Sequence, residues 1–169
     1  MKKIVKRDKS TSSRSKNLGD IGETLTEFLL MKSDFNNIQN LNLIKNNFPF
    51  ADYFAEKDNI CYVISVKMRN KYQFTTNGAK KLNSRYNLGS KCYEHANNAE
   101  KQYNAKAAFL SISLDFNTYC AYFGLLSDLN GSLGINMSEK AVIKYTCLAK
   151  DALHDFNYAD IKNEYEILK

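Results

Sequence analysis

The chain has 169 residues, 44% of them hydrophobic and 25% charged, with a formal charge of +6, a pI near 9.0 and a mean hydropathy of −0.47. That length holds one domain with a full core and barely two, and no apolar run approaches the ~20 residues that span a bilayer. The N-terminus is basic without the apolar segment of a signal peptide, which points to a cytoplasmic protein with no membrane role.

Charge is unevenly placed. Residues 1–19 carry seven basic groups and one acid, Asp8, and residues 69–91 carry six basic groups and no acid. With those 13 basic groups and one acid set aside from totals of 24 and 18, the remainder holds 11 basic and 17 acidic groups. Two basic segments on an otherwise acidic body imply a localised site for a polyanion. Cys61, Cys92, Cys120 and Cys147 are widely spaced, without a C-x-x-C pair, and read as buried thiols. With only His95 and His154 beside them, a zinc site is not expected.

Residues 1–17, rich in Lys, Arg, Ser and Thr, read as a mobile basic arm, and 18–169 as one domain. A helix is expected from an Asp20 N-cap with Glu23 three residues on, a capping-box spacing. Its buried stripe is Ile21, Leu25, Phe28 and Leu29. Phe35 to Ile44 reads as an edge strand. Between Phe48 and Arg69 two short apolar strands meet at a turn centred on Asp58 and Asn59, with Pro49 at the start. That register sets Asp52 opposite Ser65, with Cβ atoms roughly 4.5–5.5 Å apart and Lys67 a diagonal neighbour on the same face. The strand is expected to end near Lys67.

The stretch to Ser90 reads as a functional loop, with Tyr72, Phe74 and Tyr86 interleaved among basic residues in the manner of a nucleic-acid surface. Lys91 to Asn104 forms a second helix with Cys92, Ala96, Ala99 and Tyr103 as its packing stripe. Cys92 and His95, three apart on it, read as a packed thiol and a surface imidazole. Ala107–Leu114 and Thr118–Leu126 make a second hairpin, and Ala141–Leu148 a last strand. The predicted architecture is α/β, a mixed central sheet flanked by helices.

With an acid on the second strand and x-x-Lys on the third, this order resembles the PD-(D/E)xK nuclease superfamily, which includes restriction endonucleases and archaeal Holliday-junction resolvases. The motifs are Gly19-Asp20-Ile21-Gly22-Glu23, Phe50-Ala51-Asp52 and Ile64-Ser65-Val66-Lys67. The resemblance covers about Gly19 to Leu126 and implies a restriction endonuclease-like αβββαβ core with metal-dependent phosphodiester hydrolysis on double-stranded or branched DNA. It assigns Asp52 as metal-binding acid, Lys67 as the group that orients the attacking water, Glu23 as a supporting acid and the Val66 carbonyl as a further ligand. Mg2+ would be the metal, with Mn2+ as an alternative. Arg69, Lys71, Lys80, Lys81, Arg85 and Lys91 would grip backbone phosphates. So short a chain favours a homodimer or structure-selective action.

Ser65 departs from the pattern, standing where the family usually has Glu or Asp. Either Glu23, or Glu94 on the second helix, supplies the acid, or the protein has lost catalysis and only binds nucleic acid. A third reading is an interaction subunit of a larger DNA-processing complex.

Overall fold

The Asp58-Asn59 turn is the local feature from which the sheet is built. Both residues have positive φ, 51° and 61°, as a two-residue hairpin turn of primed type requires, and Asn and Asp tolerate that region. The computed structural model describes residues 9–45 and 48–155. In chain order it contains helix α1 (Lys9–Lys32), strand β1 (Asn36–Asn40), a 3-10 turn (Leu41–Leu43), β2 (Tyr53–Lys57) and β3 (Ile60–Asn70). The short strands β4 (Tyr72–Phe74), β5 (Lys80–Leu82) and β6 (Arg85–Asn87) follow, then α2 (Cys92–Tyr103), β7 (Lys106–Leu114) and β8 (Thr118–Leu125). A 3-10 turn (Leu126–Leu129), β9 (Gly134–Asn136), α3 (Glu139–Val142) and β10 (Thr146–Leu153) complete the described residues.

Six strands form the main sheet in the order β1-β2-β3-β7-β8-β10. β3 and β7 are parallel and every other pair is antiparallel, so the sheet is mixed, as expected. The hairpin register also follows the sequence reading, from Lys57↔Ile60 to Tyr53↔Ile64. The parallel pair is possible because α2 provides the crossover that parallel strands require.

The strand period of two sorts the core onto two faces. On one, Leu25, Leu29 and Leu30 of α1 pack with Ile64, Met68, Ala108, Leu110 and Ile112. On the other, Ala96 and Ala99 of α2 pack with Phe54, Val63 and Ala107. Beyond α2 the same face is covered by Tyr86, Phe109, Ile135 and Met137, where β6 pairs with β9. No helix among the described residues is long and apolar enough to cross a membrane.

Several expectations are corrected. The helix begins at Lys9, so Asp20 lies inside it and caps nothing, and residues 9–17 of the expected arm are helical. Residues 1–8 lie outside the described residues. Phe28 is 49% exposed, and Leu30, fully buried, takes its place in the stripe. The expected edge strand is shorter, ending at Asn40 before the 3-10 turn. β3 runs on to Asn70, so Lys67 sits within the strand and not at its end. The expected loop after it contains the β4–β5 hairpin and β6. The last strand starts at Thr146 because Ala141 and Val142 close a helical turn on Ser138, their N–H groups meeting its carbonyl at 2.9 and 3.0 Å.

One packing contact under the sheet is tight enough to test. Gly124 lies beside Phe109, and a Cβ there would sit 2.5 Å from the ring's Cζ. Phe109 is fully buried, so its ring has nowhere to go. Gly124→Ala is expected to lower stability by about 2–3 kcal/mol through overpacking, read as a shift of the urea midpoint at unchanged m-value.

Candidate functional site

β2 is five residues long and β3 eleven. β3 therefore runs past its partner, and the groups on that edge beyond Ile64 need other acceptors and donors. Asp52 meets the first of them. Its backbone N–H donates to the Ile64 carbonyl at 2.8 Å, and its carboxylate Oδ2 accepts the Val66 N–H at 2.7 Å. Simple continuation of the register would have set Asp52 across from Ser65. The carboxylate instead turns toward the next backbone group along the edge. A residue's N–H and C=O face the same side of a strand, so the Val66 carbonyl points to the edge where Asp52 lies. The following carbonyl, that of Met68, accepts from the Arg69 guanidinium at 2.7 Å.

Asp52 is delivered by a strained turn. Phe50 has φ +70°, rarely adopted by a bulky residue, and the Ala51 N–H closes on the Pro49 carbonyl at 3.0 Å. Strain of this kind persists where surrounding packing enforces it, and Ala51 and Tyr53 on either side of Asp52 are fully buried.

Glu23 arrives from α1. Gly22 lets the helix lie close against β3, since a Cβ there would be only 3.3 Å from Met68 Sδ. Glu23 and Asp52 are linked by Asn42, a residue of the 3-10 turn that no pattern in the sequence singles out. Its amide Nδ2 lies 3.4 Å from Glu23 Oε1 and 3.3 Å from Asp52 Oδ1, so the two oxygens are separated by at most the sum, 6.7 Å. Asn40 reaches the other Glu23 oxygen at 3.4 Å and the Tyr53 hydroxyl at 3.3 Å. Tyr53 donates between the Glu23 carbonyl, 3.1 Å away, and the Glu27 carboxylate at 3.3 Å. Burial, then the nearby Glu27 and Glu23 charges, push the Tyr53 phenol well above its ordinary pKa, so it remains a neutral donor.

These residues open onto a cleft of about 790 Å³ lined by Glu23, Asn42, Asp52, Ser65, Lys67, the approach to α2 from Leu88 to Lys91, and Cys92 and His95 of α2. Glu23, Asp52, Ser65 and Lys67, singled out from sequence, are thus brought together. Glu94 is exposed and does not line the cleft, which removes it as a substitute acid. Among the described residues Lys67 pairs with no carboxylate. Cys92, also in the lining, is not a reactive thiolate: burial pushes its thiol up, outweighing the opposing pull of the Tyr93 N–H and of Lys67.

The basic residues divide. Lys91 lines the cleft, whereas Arg69, Lys80, Lys81 and Arg85 are exposed outside its lining. Lys71 is 3.8 Å from Asp151, and Lys80 stacks over the Tyr72 ring at 3.9 Å.

Among the described residues no group of three or more His, Cys, Asp and Glu side chains could hold a metal. A two-carboxylate set with a backbone carbonyl nevertheless fits Mg2+, which keeps several waters and takes substrate phosphate oxygens as ligands. The donors are hard oxygens throughout.

No family model and no curated protein matches the sequence. Among solved structures, the chain is similar to Hjc, a Holliday junction resolvase of Archaeoglobus fulgidus, with a TM-score of 0.55 and 17% identity over 77% of this chain and 96% of that one. The fold is therefore the restriction endonuclease-like α/β fold of that resolvase.

The Asn42 bridge generates a test of where a cation would sit. Asn42→Asp replaces a shared donor with a third carboxylate. In EDTA it should cost roughly 1–2 kcal/mol in unfolding free energy. Millimolar Mg2+ should restore more stability to the variant than it adds to wild type. Equal thermal shifts in the two proteins would place the cation elsewhere.

Proposed function

We propose that the protein is a divalent-metal-dependent DNA endonuclease of junction-resolvase or restriction-enzyme type, acting by phosphodiester hydrolysis. The observation that carries this reading is the convergence of Glu23, Asp52 and an unpaired Lys67 in one cleft, from three separate elements. Helix, turn and strand are rigidly positioned, as a site that must orient a water against a phosphorus requires.

Glu23, Asp52 and the Val66 carbonyl would hold Mg2+ or Mn2+. When bound, the ion lowers the pKa of a coordinated water and offsets charge on the phosphate. The chain's own residues supply the rest. The Val66 N–H holds the Asp52 carboxylate in one orientation. Lys67, with no carboxylate partner among the described residues, is available to orient the attacking water and to stabilise charge developing on the phosphate. Tyr53 and Asn40 fix the approach of Glu23.

Residues 18–169 act as one domain in this reading. Arg69, Lys71, Lys80, Lys81, Arg85 and Lys91, together with the basic residues of 1–17, contact backbone phosphates, and two copies of the chain pair on a branched or double-stranded substrate. A binding-only protein is the second reading, favoured by one observation, the serine at position 65 where an acid would complete the ligand set.

Cleavage of linear, branched and single-stranded DNA with Mg2+, Mn2+ or EDTA separates the two. Asp52→Ala and Lys67→Ala are each expected to lower the rate at least ~100-fold, and Asp52→Asn, which still accepts the Val66 N–H, should lose activity while keeping the sheet edge. Cleavage that survives both substitutions removes the site, and no cleavage on any substrate selects the binding-only protein. Under either reading the affinity should fall by about 0.9 log units per log salt for each phosphate neutralised. A salt-independent affinity would exclude both.

A further inference from the structure

The cleft has two poles. Glu23 and Asp52, joined through Asn42, form one, and Lys67, Lys91 and the start of α2 form the other. The first pole accounts for the cation, and the second has no role in holding it.

At that second pole α2 begins without a side-chain cap. Its N-cap residue is Lys91, which makes no capping hydrogen bond. The Cys92 N–H turns back to the Gly89 carbonyl at 3.3 Å, and the His95 N–H makes the first helical bond to the Lys91 carbonyl at 3.0 Å. The N–H groups of Lys91 and Glu94 have no partner among the described residues. A helix of twelve residues thus presents Lys91, Cys92 and His95 of its donor-rich end to the cleft, and that end carries partial positive charge.

Ser65 supplies an independent observation. It is 2% exposed and lines the same cleft, yet its hydroxyl has no hydrogen-bond partner among the described residues. Its hydroxyl is therefore free to donate to a group in the cleft. It shares a strand face with Lys67, two residues on. A carboxylate at this position would repel an anion, whereas a hydroxyl donates to one.

We propose that Ser65, Lys91 and the uncapped first turn of α2 form a phosphate cradle that holds a phosphodiester group of the nucleic-acid strand. The cradle deepens the nucleic-acid reading above and rests on it. The serine that departs from an all-acid ligand set then has a function of its own, converting a cation ligand into an anion donor. The strand is gripped opposite the carboxylates, with Lys67 on the same strand face as Ser65.

The test avoids cleavage chemistry. In EDTA, inorganic phosphate titrated into the 15N-labelled protein should shift the backbone amides of Lys91 and Glu94 saturably, and chloride at equal ionic strength should not. Lys91→Gln, at an exposed position, should weaken that binding about tenfold, and Ser65→Ala about threefold. Ser65→Asp should abolish it. Shifts confined to exposed residues such as Lys80 and Lys81, or wild-type binding in Ser65→Asp, would overturn the cradle. Cleavage activity together with an unresponsive α2 turn would sink the cradle alone. Phosphate binding without cleavage would leave the cradle standing and remove hydrolysis.

Discussion

β3 outlasts β2, and the site follows from that mismatch. An edge exposed partway along a central strand leaves backbone groups that must be satisfied, since a buried orphan N–H costs as much as a lost hydrogen bond. Asp52 answers the Val66 N–H and Arg69 answers the Met68 carbonyl. The Val66 carbonyl faces the same side between them. A carboxylate recruited to finish a sheet edge is thereby held in one orientation, and it faces a cleft. In the proposed metal site, structural necessity and ligation would coincide at a single residue. Moving Asp52 would also undo the edge.

The charges in the cleft are balanced by separation and not by pairing. Two carboxylates share one Asn42 amide through hydrogen bonds of 3.3 and 3.4 Å, longer than the 2.7–3.2 Å usual for N–H···O. Such contacts are weak enough to exchange for a cation. Lys67 forms no ion pair among the described residues, although diagonal geometry across the hairpin could have given it one. A closed Asp52–Lys67 pair would have neutralised both groups and left little field for a substrate. The turn of Asp52 toward Val66 keeps them apart, so the cleft presents opposite charges to opposite ends of a ligand.

What could be read from residues was the part governed by local pattern. Asp58-Asn59 determines the hairpin register because those residue types tolerate positive φ, and the small residues Ala96 and Ala99 announce a helix packed on a sheet. The α1 boundary escapes local pattern for an equally physical reason: Asp20 and Glu23 have capping-box spacing, while the helix ahead of them is polar and without apolar period. β4, β5 and β6 are three residues each, too short for alternation to stand out. The run Ala141-Val142-Ile143 is strand-like in composition but follows Ser138, on which a helical turn closes. Asn42 was illegible in principle. An uncharged amide in an Asn-rich stretch carries no pattern, and only the meeting of α1 with the hairpin gives it two acids to bridge.

The basic segment gains a direction from β3. That strand carries Lys67 in the cleft and runs straight on to Lys71, whose N–H donates to the Leu114 carbonyl of β7 at 2.7 Å, so the chain is still anchored to the sheet there. Four strand residues at ~3.3 Å span ~13 Å, about four steps of the ~3.4 Å rise along one strand of B-DNA. The β4–β5 hairpin then carries Lys80 and Lys81 on a two-stranded ladder, not on an irregular loop. Lys80 rests over Tyr72, which restricts an otherwise flexible side chain. In the nucleic-acid reading proposed above, a duplex lying along β3 would meet the cleft cations first and the hairpin cations a few base pairs on. The acid-free residues 69–91 thus place their cations on β3 and on the separate β4–β5 and β6–β9 ladders, with Lys71 drawn to Asp151.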